Sequence, residues 1–389
     1  MVSDPNLLNE LRLARELVTA LVDTLDDTVS CTQYHPDLSP IGWHLGHCTW
    51  TESYWLQATV GGDDRHTQPV EALYTPSATP KAERGARLPP LDALLQWTAG
   101  LQAINDELLE SGSPPLLDHP LMQDDYLLHF LIQHYSQHYE TMLMILTQRA
   151  CRADDGTFPV KDPLHPRRPD PTALAVQPGH YRVGGTAPIA YDNELPPQQV
   201  TLGPFSIASR PVSNSEYLAF MQDGGYRRAE LWSESGWHWQ QQQVHEQPDH
   251  WRRNADDHWY GIAARGAYVL AGDAPVSGLS YHEAEACARW AGGRLPHEHQ
   301  WEVACRLRLL EDTGRAWEWC GNSFYPYAGY RAFPYEDYSQ PWFDDNHYSL
   351  RGGSLHTRPS IRRASFRNFY QPDKRHIFAG LRPVYDTQA

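Results

Sequence analysis

His134-Tyr135-Ser136-Gln137-His138-Tyr139-Glu140 stands near the C-terminal end of a long run with apolar residues at helical spacing. Two histidines four apart on a helix lie one turn above each other on the same face. Two neutral ring nitrogens can then point at one metal ion, and imidazole suits zinc, iron, copper or nickel. Gln137 neighbours that face, within reach of a metal-bound water or a substrate. Glu140 is turned away by two residues' rotation, roughly 200°, a supporting rather than a ligating place. The pair alone is equally the pattern of two histidines on a helix surface, so the reading needs a third ligand.

The run itself, Met122 to Arg149, is the last of four predicted helices. The first starts at Ser3 or Asp4 with Pro5 and carries Leu8, Leu11, Leu17, Leu21 and Leu25. The second starts after Asp37 or Ser39, with Pro40 in its first turn, and runs through Trp43, His47, Trp50 and Leu56. Residues 61–90 read as a long connection, and Leu91 to Leu109 as the third helix. Such elements make a bundle, whose facing side chains commonly build a metal site. The stretch Arg152 to Gly179 holds six prolines and no period, which places a linker over 152–178 between domains at 1–151 and 179–389. Beyond it, strand-like runs (Val200-Thr201-Leu202, Phe205-Ser206-Ile207) and two short helices (Ser213–Asp223, Ser280–Trp290) predict an α+β domain.

Composition narrows the function. A net charge of −16 argues against nucleic acid or an anionic membrane as partner, since both need a basic face. Twenty histidines, 14 tryptophans and 21 tyrosines suit metal ligation and an aromatic-lined pocket. No run of about 18 apolar residues and no signal-peptide pattern at the N-terminus predict a cytoplasmic protein. The six cysteines, at 31, 48, 151, 287, 305 and 320, form no CxxC pair, so neither a zinc knuckle nor a disulfide framework is expected.

The third imidazole is most economically found in Trp43-His44-Leu45-Gly46-His47-Cys48 on the second helix. Spacing leaves both His44 and His47 open. A set of three histidines keeps coordination positions free, as a catalytic metal requires. His129 lies nine residues before His138, off its face, and is left as a core or surface histidine.

Trp43-His44-Leu45-Gly46-His47 followed by His134-x3-His138-x-Glu140 resembles the N-terminal DinB-like four-helix domain of the ergothioneine-type sulfoxide synthases. The second half resembles their formylglycine-generating-enzyme-like (C-type-lectin-like) domain. The matching pieces are Tyr191-Asp192-Asn193-Glu194, Pro211-Val212-Ser213-Asn214, Asp223-Gly224-Gly225-Tyr226, Gly293-Arg294-Leu295-Pro296, Trp317-Glu318-Trp319, Arg351-Gly352-Gly353-Ser354 and Phe366-Arg367-Asn368-Phe369. They stand in the family's order over nearly the whole chain.

The resemblance implies an Fe(II) cofactor on His47, His134 and His138, with O2 used to join a sulfur or selenium donor to the imidazole carbon of hercynine, the Nα-trimethylated histidine. It implies a substrate pocket where the second domain covers the bundle opening. Asn368 and Phe369 fall on the segment that holds the trimethylammonium and carboxylate, and Gln137 on the position that contacts the imidazole. Aromatic faces suit a cation that cannot donate a hydrogen bond. A tyrosine near the metal is expected as proton donor, with Tyr330 the first choice and Tyr325 or Tyr327 the alternatives.

The pattern departs from the family at several points. Where the γ-glutamylcysteine branch carries an aspartate after the Asn segment, this chain has Tyr370, which disfavours a zwitterionic donor. Arg84 and Arg87 remain available as an anion clamp, or as a solvated charged loop. The loop Leu73-Tyr74-Thr75-Pro76 is not that of the cysteine branch, and Arg306 to Gly314 is short for the family. Together these features resemble the selenoneine synthase branch, whose donor is a selenosugar held by hydrogen bonds and an aromatic platform. Two readings from other classes are a DinB-type zinc or nickel thiol transferase, active without O2, and a lectin-like binding module with a vestigial metal site.

Overall fold

The computed structural model describes residues 4–111, 116, 118–169 and 172–386. It divides into two compact units, Met1–Arg152 and Ala153–Ala389.

The first unit is built on four long helices: α1 (Pro5–Thr19), α2 (Ile41–Ser53), α3 (Leu91–Ser111) and α4 (Tyr126–Ala153). Asp4 caps α1 by accepting from the Asn6 amide, with Pro5 where a missing N–H costs nothing; Ser3 lies outside the described residues. All 13 residues of α2 are buried, the signature of a central helix, and α2 continues into a π-helical segment, Tyr54–Val60. Three expectations need correcting. α1 ends at Thr19, so Leu21 and Leu25 lie beyond it. Residues 61–90 are not a bare connection but hold helical segments at Gln68–Val70, Glu71–Tyr74 and Lys81–Arg87. The last helix begins at Tyr126 rather than Met122. Pro120–Asp125 is a 3₁₀ segment whose Asp124 and Asp125 have φ of 53° and 54°, a left-handed backbone that an α-helix cannot continue.

One buried polar knot ties these helices together. Glu52 on α2 accepts from Arg15 Nε on α1 (3.0 Å), from Asn105 Nδ2 on α3 (2.7 Å) and from Tyr135 Oη on α4 (2.8 Å). Each helix contributes one side chain, so sliding any helix breaks a bond inside the core, where an unmade bond costs about 1–3 kcal/mol.

The second unit is α+β. Its four-stranded sheet runs Asn368–Tyr370, Tyr348–Arg351, Trp317–Ser323, Ala379–Gly380, with only the last pair parallel. A three-stranded sheet joins Ala173–Val176, Phe205–Ala208 and Val384–Tyr385. The stretch expected as linker is therefore part of this unit at its end: Ala173–Val176 pairs with Phe205–Ala208, and the Arg167 amide donates to the Ser215 carbonyl. The helices Asn214–Gln222 and Tyr281–Trp290 stand where helical spacing put them, opened by capping boxes from Ser213 with Glu216 and Ser280 with Glu283.

Another helix, Glu298–Arg306, was not foreseen, and its Glu298 and Glu302 enter a buried cluster of charge. Glu298, Glu302, Glu318, Arg351 and Arg382 are 0% exposed and Arg367 is 1% exposed. Glu298 receives Arg367 at 2.7 Å and Arg351 at 3.1 Å; Arg351 also meets Glu302, and Arg382 reaches Glu318 at 2.7 Å. Burial would raise the Glu298 carboxyl, but the Arg367 and Arg351 guanidiniums override it and hold it at about 2.

Candidate metal centre

Helix α2 presents His47 and helix α4 presents His134 and His138, whose ligand-capable nitrogens all lie within 4.8 Å of one another. His47 and His134 are buried, 5% and 7% exposed, and His138 is half-buried. Their ring centroids form a triangle with sides of 5.1, 4.8 and 4.4 Å. Desolvation holds all three neutral: His47 falls to about 4, while His134 and His138 lie well below the usual histidine range, each lowered further by its imidazole neighbours. Three uncharged lone-pair donors facing a common point are what a transition metal takes, and His134 Nδ1 has no hydrogen-bond partner.

Local structure sets the tautomer of His47. Its Nδ1–H donates to the Tyr74 carbonyl (2.8 Å), which leaves the lone pair on Nε2. That carbonyl comes close because residue 46 is glycine: a Cβ there would lie 2.3 Å from the Tyr74 ring. Trp43 stacks on His47, centroids 4.7 Å apart and planes within 8°, and its Nε1 donates to the Leu73 carbonyl (2.8 Å). The Glu71–Tyr74 segment thus fixes both rings. The Arg84 guanidinium also sits over Trp43, 4.0 Å from a ring centroid. Arg84 is 3% exposed and donates to the Thr79 carbonyl (2.9 Å), the Pro76 carbonyl and the Ser39 hydroxyl. Arg87, the other cation considered for an anion, is exposed and donates to Glu83 (2.7 Å).

The choice that spacing left open is resolved: His47 points into the cluster, and His44 stands beside it with Nδ1 2.8 Å from Nδ1 of His138. Gln137 is half-buried between the two α4 histidines in sequence, and Glu140 is 4% exposed. His129 takes no part in the cluster.

The remaining candidates belong to the second unit. Tyr330 Oη donates to Asp192 Oδ2 (2.8 Å), and Asp192 also accepts from Ser339 (2.6 Å). Burial first, then this carboxylate, raises the Tyr330 phenol above its ordinary value; burial likewise raises Asp192. Tyr330 and Phe369 share one aromatic cluster, linked through Phe343 and Phe324 at centroid distances of 5.1, 4.8 and 4.3 Å. Tyr325 turns elsewhere, with Oη 3.2 Å from His299 Nε2, and burial pushes it up to about 12. Tyr327 is 3% exposed beneath Arg367, a core position. Asn368 Oδ1 accepts from the Phe369 amide (3.0 Å), and Tyr370 is half-buried with its ring 6.3 Å from His376. Asp192, missed as a partner of Tyr330, lies 138 residues away in sequence, and only its place in a matched motif hinted at a role.

Comparison with known proteins fits this architecture. Residues 10–142 match the DinB superfamily, and residues 161–312 and 307–387 match the sulfatase-modifying factor enzyme 1-like domain. A DinB bundle with a buried histidine cluster, followed by a sulfatase-modifying-factor domain, defines the class. The chain is 32% identical to a hercynine oxygenase of Mycolicibacterium smegmatis, with 100% of both chains covered. It is 33% identical to a hercynine oxygenase of Mycobacterium tuberculosis, covering 99% of this chain and 100% of that one. A partial likeness, 28% over 50% of this chain and 27% of the other, links it to ergothioneine biosynthesis protein 1 of Schizosaccharomyces pombe. The chain belongs to the hercynine oxygenase family, an oxidoreductase family. Among the described residues no helix is long and apolar enough to cross a membrane.

Proposed function

We propose that this protein is a nonheme iron(II)-dependent synthase that uses O2 to join selenium from a selenosugar to hercynine, at the imidazole carbon between the ring nitrogens. The observation that carries the reading is the convergence of three neutral imidazoles, His47, His134 and His138, within 4.8 Å. These three would hold the iron. An all-nitrogen, uncharged donor set leaves the charge of a divalent ion uncompensated, which favours a soft anionic selenolate or thiolate. Iron, when bound, supplies the one-electron route by which ground-state O2 reacts with closed-shell organic molecules.

This chain's own residues do the rest. The Tyr74 carbonyl keeps the His47 proton on Nδ1. The aromatic face of Phe369, with Asn368, is assigned to hercynine's trimethylammonium and carboxylate, and Gln137 to its imidazole. Tyr330, its proton held on Oη by burial and by Asp192, is the assigned proton donor, with Tyr325 in reserve. Tyr370, standing where the γ-glutamylcysteine branch has a carboxylate, supports a neutral polyol donor rather than an amino acid.

A second reading keeps the chemistry and changes the donor to cysteine or γ-glutamylcysteine, giving a hercynine sulfoxide. It is favoured by full-length likeness to proteins named hercynine oxygenase. Purified iron-loaded protein given hercynine, O2 and selenosugar, cysteine and γ-glutamylcysteine in competition separates the two. A selenium-bearing product supports the first reading, and a product carrying sulfur alone moves the assignment to the second. Turnover with zinc and without O2 would overturn both in favour of a thiol transferase.

A further inference from the structure

We infer that His44 is a positioning residue for His138, the acceptor that fixes which nitrogen His138 offers to a metal. The inference rests on reading His47, His134 and His138 as the metal centre, and concerns a residue outside that set.

The two Nδ1 atoms lie 2.8 Å apart, so one carries the hydrogen and the other accepts it. If His44 donated, neutral His138 would hold its only proton on Nε2 and neither of its nitrogens would be free. If His138 donates, its Nε2 carries a lone pair, and His44 takes its own proton on Nε2. Only the second arrangement makes His138 a ligand. It gives His138 an outer partner as Tyr74 gives one to His47, but with a neutral imidazole in place of a carbonyl oxygen. The partners usual for a metal-bound histidine are a carboxylate, a carbonyl or water. An imidazole adds no negative charge, so the set of three stays uncharged.

A second observation points the same way. His44 is 5% exposed, and its Nε2 makes no hydrogen bond with the protein. A buried polar atom without a partner is destabilising, and an apolar ring at that position would avoid that cost. Packing therefore does not explain the residue. Two T-shaped or tilted ring contacts, to Trp43 at 5.2 Å and His138 at 5.1 Å, are contacts a phenyl ring also makes.

The test compares His44→Phe, His44→Asn and His138→Ala with the parent, reading Fe(II) affinity by anaerobic chelator competition, the visible spectrum of the Co(II) form, and the melting midpoint of the metal-free protein. His44→Phe is expected to weaken Fe(II) by about 10–100-fold and shift the Co(II) bands, without lowering the melting midpoint. His44→Asn, which restores an acceptor oxygen, recovers most of the affinity. His138→Ala removes the metal altogether. Unchanged affinity and spectrum in His44→Phe, with His138→Ala metal-free, would overturn the positioning role and leave the centre standing. Loss in both His44 variants as complete as in His138→Ala would make His44 a ligand and overturn it too. Fe(II) binding that survives His138→Ala would sink the centre itself, a separate failure.

Discussion

In the first unit four histidines meet in and around one buried point with their charge driven off. In the second, three glutamates and three arginines of one cluster are buried almost completely and paired with one another. The second cluster compensates itself: carboxylate faces guanidinium at 2.7–3.1 Å, with backbone carbonyls such as that of Asn193 taking further donors. The first does not, because like groups face one another and lone pairs point inward. A cluster whose charges compensate one another reads as scaffold; one whose donors converge without acceptors is complete only with something bound.

The comparison breaks most visibly if a ligand is removed. His138→Ala should abolish metal binding and turnover, yet leave the bundle folded by circular dichroism, since no other helix depends on that ring for a charge partner. Glu298→Ala should do the reverse, costing about 3–5 kcal/mol of stability by stranding buried arginines. Chemical denaturation read by tryptophan fluorescence would register it, while Fe(II) affinity of whatever remains folded stays near that of the parent.

Acid separates the two kinds of buried group, imidazole and carboxylate, without mutation. A histidine at about 6.5 in the unfolded chain and about 4 in the folded one costs stability as pH falls between those values, because the unfolded chain takes up the proton first. The metal-free first unit should therefore weaken from pH 6.5 downward, by up to about 1.4 kcal/mol per pH unit for each such imidazole. The Glu298 contribution, from a carboxyl held at about 2, is present above about pH 4.5 and lost only below it. Because His282 and His299 of the second unit also fall to about 4, hydrogen exchange on metal-free protein should show both units loosening between about pH 6.5 and pH 4, with the Glu298 contribution lost only below about pH 4.5. Protection unchanged across that window would contradict the assignment of charge states.

The smallest effect sharpens the functional side. Tyr330→Phe removes one bond to Asp192, which keeps Ser339, and should cost about 1 kcal/mol of stability. Hercynine affinity should stay nearly unchanged while the product distribution alters; an unaltered distribution would pass the role to Tyr325.

Periodicity carried the bundle because α1 and α3 each bury one stripe, and capping residues such as Asp4, Ser213 and Ser280 marked helix starts by chemistry that acts within three residues. The His134–His138 pair was legible for the same local reason. What escaped was non-local. Nothing in Trp43-His44-Leu45-Gly46-His47 says which histidine turns inward, since a carbonyl 27 residues away decides it. Arg84 reads as a surface cation until Trp43 is seen beneath it, and the Glu298–Arg306 helix is muted because Glu298 and Glu302 stand among its inward residues.

The Glu52 knot has a consequence for how such a bundle changes over time. Arg15, Asn105 and Tyr135 set the spacing and register of the helices without using any histidine. Exchanging a ligand for a carboxylate or a thiol would therefore alter which ion is preferred while the helices stay where they are. The frame and its cargo can drift independently, and one bundle can be refitted for different metals without relearning how to fold.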